Sequence, residues 1–180
     1  MKIEKKPLIF ISAGVIILAV VLLISYKSQN PEIKKNSTGQ FITREVISER
    51  YEVPEIDTVG LAKNIARPTS VLPAHPKPGQ DKRVRLFHLS IEKDKFFPDT
   101  IIVNDWDDVL IYVKAVDKDY DFTQPDLSMN QPIAKGKTVI IRQGFGETKG
   151  VKLTFYCSSC GGPLKGPRGQ ILTVPKPKPQ

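Results

Sequence analysis

Apolar and polar residues alternate with a period of two in short runs through the second half of the chain. In Arg85-Leu86-Phe87-His88-Leu89-Ser90-Ile91 the pattern sets Phe87, Leu89 and Ile91 on one face and His88 on the other. Residues 151–157 alternate as cleanly, with Val151, Leu153, Phe155 and Cys157 facing one way. Residues 100–104, 109–116, 138–142 and 170–174 are further short apolar runs, separated by polar, glycine and proline residues. Short strands without a long amphipathic helix predict an all-β sandwich or barrel over residues 82–175. About 95 residues can bury one modest core.

A different pattern opens the chain. Residues 8–25 carry no charge and are rich in Ile, Val and Leu, after a basic start containing Lys2, Lys5 and Lys6. A helix rising ~1.5 Å per residue over such a run reaches across the ~30 Å hydrocarbon core. No small-residue cleavage site follows it, so the expectation is an uncleaved transmembrane anchor over residues 1–26. The leading lysines favour a cytoplasmic N-terminus. That predicts a single-pass protein of the cytoplasmic membrane, with its C-terminal domain on the periplasmic or extracytoplasmic side.

Residues 27–81 are polar and punctuated by proline, and read as an extended arm or linker. They nevertheless hold Phe41, Ile42, Tyr51, Ile56, Val59 and Leu61, more large apolar residues than a disordered tether usually carries. The arm either packs on its own domain or lies along a partner. Asp57-Thr58 predicts the cap of a short helix over 59–66, closed by Arg67-Pro68. Residues 176–180 form a proline-rich tail.

The chain of 180 residues has a formal charge of +8. Its lysines are spread over both ends and many loops, without an arginine-rich helix or a nucleic-acid motif, so no nucleic-acid partner is expected. There is no Ser/His/Asp set, phosphate-cradling glycine loop or zinc-protease helix, and no catalytic residue or enzyme activity is predicted. The two histidines, His75 and His88, lie before or at the first strand.

Cys157 and Cys160 are the only cysteines, in a C-x-x-C followed by Gly161-Gly162-Pro163. Four uses are open. A disulfide suits an oxidising compartment. A thiol oxidoreductase wants its first thiol at a helix N-terminus, and Gly161-Gly162-Pro163 is not expected to begin a helix. A zinc site needs four ligands, and there is no second pair in the chain. Two soft thiolates can also hold Cu(I) and pass it on. Nearby acids read more plainly. Asp105, Asp107 and Asp108 crowd one turn and are expected to be solvated. Asp117, Asp119 and Asp121 read as an acidic loop. Trp106, the single tryptophan, is a candidate partner contact or folds back on its own domain.

Several stretches share a motif order. Phe96-Phe97-Pro98-Asp99-Thr100-Ile101-Ile102-Val103 precedes the turn Asn104 to Asp108, then Tyr120-Asp121-Phe122-Thr123-Gln124-Pro125, then Lys135-Gly136-Lys137-Thr138, and finally Tyr156-Cys157 through Gly169-Gln170-Ile171-Leu172. In this order they resemble the cupredoxin family, and most nearly the copper domain of cytochrome c oxidase subunit II, across about half of the chain. The resemblance implies a Greek-key β-sandwich in an electron-transfer setting. It also implies that most copper ligands are lost. The first imidazole position falls on Tyr120, the second on Leu164, the thioether position on Pro167, and the cysteines stand one residue closer together. Neither a copper centre nor any other cofactor is therefore expected, with Cys157 and Cys160 left as residual metal candidates or as a disulfide. The resulting expectation is a copper-less accessory subunit. Its partners would be integral membrane subunits of a respiratory or photosynthetic complex. Copper delivery through Cys157 and Cys160 is the alternative.

Overall fold

The structure, a computed structural model, describes residues 41–49, 51–74 and 82–176. The expected anchor over 1–26, His75 and most of the proline-rich tail lie outside these residues. Among those described, no helix is long and apolar enough to cross a membrane.

Eleven strands form two mixed sheets among the described residues. One holds β2 (Ser70–Pro73), β3 (Arg83–Glu92), β6 (Asp108–Ala115) and β9 (Thr138–Gly144) in that order, with β4 (Lys95–Phe97) on the far end of β3. The other runs β5 (Thr100–Asn104), β11 (Arg168–Val174), β10 (Val151–Tyr156), β7 (Tyr120–Gln124) and β8 (Met129–Ile133). β1 (Arg44–Val46) shares an edge of β10 with β7: it pairs at Val151 to Leu153, and β7 pairs at Tyr156. The pairs β3–β6 and β5–β11 are parallel, the others antiparallel.

The alternation read from the sequence decides which face each strand buries. Phe87, Leu89 and Ile91 of β3 meet Val109, Ile111 and Val113 of β6 in one core with Ile101, Phe122, Leu153, Phe155 and Ile171 of the other sheet. The centre is aromatic. Phe122 stacks on Phe155 at 4.5 Å between centroids, and the Phe96 ring meets Phe155 edge-on at 5.0 Å. Gly169 lets β11 pass this cluster, because a Cβ there would run into the Phe155 ring and the Asp99 carbonyl. The result is a β-sandwich, the all-β architecture that the strand pattern predicts.

Two expectations need correction, and one alternative is resolved. No helix forms over 59–66. The Glu55 amide donates to Thr58 Oγ1, Ile65 bridges Thr100 in parallel, and the Ala66 amide donates to the Thr100 carbonyl at 2.7 Å. Those backbone groups are used in extending a sheet, not in a helical ladder. Of the arm's two alternatives, its described part packs on its own domain, since β1 and β2 join one sheet each and Pro54, Ala66 and Pro68 are buried. Finally, a single helical turn, α1 (Gly162–Lys165), follows the cysteines. Gly161 and Gly162, at φ of 107° and 67°, redirect the chain, and Pro163 sits in the first turn, where its missing N–H is no loss.

Candidate functional site

The loop between β10 and β11 carries both cysteines. Cys157 continues the inward positions of β10 and is fully buried, whereas Cys160 is partly exposed. They are joined as a disulfide with Cα atoms 5.3 Å apart. The loop is tied to its own base: the Cys157 amide donates to the Pro167 carbonyl, and the Gly162 amide to the Cys157 carbonyl.

The residue that holds this loop is Asp121, on the adjacent strand β7. Successive strand residues point to opposite faces, so Asp121 and Tyr120 serve different neighbours. Asp121 is buried and accepts from the amides of Ser158 and Ser159, both at 2.7 Å, and from Thr123 Oγ1 at 2.7 Å. Its Oδ2 also lies 3.6 Å from Cys157 Sγ, a contact without a proton while the disulfide stands. Burial pushes the Asp121 carboxyl up, but the donors from Ser159, Thr123 and Ser158 outweigh it and hold the group below the usual carboxylate range. The acidic-loop reading is therefore corrected at Asp121, which clamps the C-x-x-C loop. Asp117 and Asp119 do hold loops, by accepting the Lys93 and Lys135 amides respectively.

Tyr120 is buried with its hydroxyl donating to Asp117 at 2.8 Å and accepting from the Asp94 amide at 3.3 Å. Burial first, then the hydrogen bond to Asp117, raises its pKa. Leu164 is exposed on α1, and Pro167 is buried. Tyr120 is committed to neighbouring loops, Leu164 and Pro167 have no donor atom, and the Asp121 carboxylate is fully engaged. These residues do not fit the sulfur and imidazole set of a cupredoxin-type copper. Among the described residues, no group of three or more His, Cys, Asp and Glu side chains is placed to hold a metal. His88 is exposed and stacks on Tyr112 at 4.9 Å.

A second polar cluster was not anticipated. Arg85 is 1% and Asp107 0% exposed. Arg85 donates through Nε to Asp107 at 2.6 Å, through Nη1 to the Pro54 carbonyl at 2.9 Å, and through Nη2 to Glu55 at 2.9 Å. Lys176 Nζ approaches the other Asp107 oxygen at 3.3 Å, which supplies an ion pair to an atom with no hydrogen bond of its own. Asp105 is buried too, accepting from the Thr148 amide and hydroxyl. The expectation of solvated acids in this turn thus fails at Asp105 and Asp107. With both carboxylates turned inward, Trp106 between them is held at φ 69° with its side chain exposed.

No protein-family model matches this sequence, and none of the curated proteins does. Among solved structures, the metal-binding domain of the Cu(I)-exporting P-type ATPase CopA of Streptococcus pneumoniae D39 is 17% identical, with a TM-score of 0.43 over 59% of this chain and 97% of that one. A chain of a heme-copper terminal oxidase dimer is 15% identical, with a TM-score of 0.42 over 91% of this chain and 95% of that one. A multicopper oxidase is 14% identical, with a TM-score of 0.48 over 63% of this chain and 48% of that one. All three are copper proteins, but likenesses this distant carry no argument by themselves. The two-sheet β architecture stands on the chain's own strand pairing.

Proposed function

We propose that this protein is a membrane-anchored, copper-less accessory subunit of a respiratory or photosynthetic electron-transfer complex, with its sandwich on the extracytoplasmic side. The motif order from Phe96 to Leu172, similar to that of cytochrome c oxidase subunit II, supplies the electron-transfer setting. One observation carries the rest: at the positions where that resemblance expects copper ligands stand Tyr120, Leu164 and Pro167, beside cysteines bonded to each other. A scaffold role suits a site without an electron carrier. Purification of the full-length protein from native membranes in mild detergent tests this. The expected result is stoichiometric recovery with haem- or pigment-bearing membrane subunits. Recovery alone, or with copper transporters, overturns it.

The partial exposure of Cys160 favours a second reading, in which the reduced cysteine pair takes up copper and delivers it. Replacing Cys157 and Cys160 together by serine separates the two. Lost copper-dependent activity with normal assembly supports delivery. A loss of about 2 kcal/mol of stability, with no change in copper handling, matches removal of a short-loop structural disulfide.

A further inference from the structure

We propose that the outer face of the β2–β3–β6–β9 sheet is a docking surface for an acidic protein partner. This deepens the subunit reading and rests on it. The register sets the outward side chains in rows. Leu72 lies beside Val84. Leu86 lies beside Leu110, and Leu110 beside Arg142. His88 lies beside Tyr112, and Tyr112 beside Ile140. Directly opposed side chains on neighbouring strands touch, so these rows join into an apolar and aromatic centre, bordered by Ser70 beside Leu86, Asp108 beside Val84, and Lys114 between Ser90 and Thr138. A solvated sheet face ordinarily carries polar residues at these positions. Here Leu72 is 56% and Ile140 48% exposed, with Leu86, Leu110 and Tyr112 half-buried between them. A continuous exposed field of this kind marks an interaction site, where scattered single residues would not.

The other sheet contrasts with it. Ile102 and Leu172 alternate with core residues, face outward, and pair across β5 and β11. They are 3% and 2% exposed. The outward apolar pair of that sheet, Ile102 and Leu172, is buried, while Leu72 and Ile140 on the β2–β3–β6–β9 sheet stand open.

Charge selects the occupant. Arg142 and Lys114 are exposed within the field, and neither forms an ion pair among the described residues. Asp108, at one end of the rows, is held by Lys82 at 3.0 Å. Two copies packed face to face would oppose cations to cations. Leu86 and Leu110, at the centre of the face, are only partly exposed, which suits a protein surface that follows the sheet better than a lipid surface. Two cations are few for a nucleic-acid backbone. An apolar protein face rimmed by Asp or Glu meets both the field and its cations.

The test places a photo-crosslinking residue at Ile140 of the full-length protein in native membranes and sequences what it captures. The expected product is another protein, linked through an apolar segment flanked by acidic residues. Lys114→Glu combined with Arg142→Glu should cut the yield about tenfold and leave the melting temperature nearly unchanged, since both side chains are exposed. Cross-links to this chain's own residues, to a second copy or to lipid alone overturn the proposal, as does a yield insensitive to charge reversal. If haem-bearing subunits co-purify but Ile140 captures no protein, this face is refuted and the subunit reading survives. If nothing co-purifies, the subunit reading fails and the docking proposal falls with it.

Discussion

Arg85 combines full burial with three directed hydrogen bonds. Burial works against its charge, and the bonds to Glu55 and Asp107 more than offset this, so the guanidinium stays protonated. Removing one partner of such a pair strands the other charge in a poorly solvating interior. Arg85→Met should therefore destabilise the protein by about 3–5 kcal/mol, read as a shift in urea midpoint at unchanged slope. A loss below about 1 kcal/mol would mean that Lys176 alone satisfies Asp107. The alternation of β3 already held this clue, because Arg85 shares its face with Phe87 and Leu89. A charged residue there reads as a strand end in water until its acid is known. Asp107 lies in a separate turn, beyond the reach of local pattern.

On the scale of elements, β7 and the cysteine loop act as one unit through Asp121. Its carboxyl titrates lower in the folded chain than in the unfolded one. Its stabilising contribution is therefore complete above the unfolded value, near pH 4, and is lost as pH falls through the folded value. Asp121→Asn should lose about 1–3 kcal/mol at neutral pH, because its amide nitrogen would face amide donors. The gap between variant and parent should narrow below about pH 4. Melts from pH 3 to 7 that show a constant gap would rule out the carboxylate clamp. The apolar strands β3, β5, β6, β9, β10 and β11 were legible in the sequence because each buries alternate or continuous apolar positions. β7 and β8 were not, since Asp121, Thr123 and Gln124 are polar residues that are buried by hydrogen bonding, and Pro132, which reads as a strand breaker, lies inside β8. The helix expected over 59–66 failed for a tertiary reason, the hydrogen bond between Ala66 and Thr100.

For the whole molecule, the two-layer β architecture followed from strand spacing, and the placement of 41–74 did not. Composition showed that this stretch was too apolar to be an inert tether, yet which edge each piece would join depends on register with strands far along the chain. The same long reach has a kinetic consequence. β1 pairs with β10, β5 lies parallel to β11, and Lys176 completes the charge pair begun by Arg85 and Asp107. Contacts so distant in sequence make closure slow. A chain folding from its N-terminal side must keep the β5 edge unpaired until β11 arrives. During that interval an apolar strand edge is open to the wrong partner. Assembly errors should therefore concentrate before the last strand docks, when the sandwich has its aromatic centre but not yet its seam.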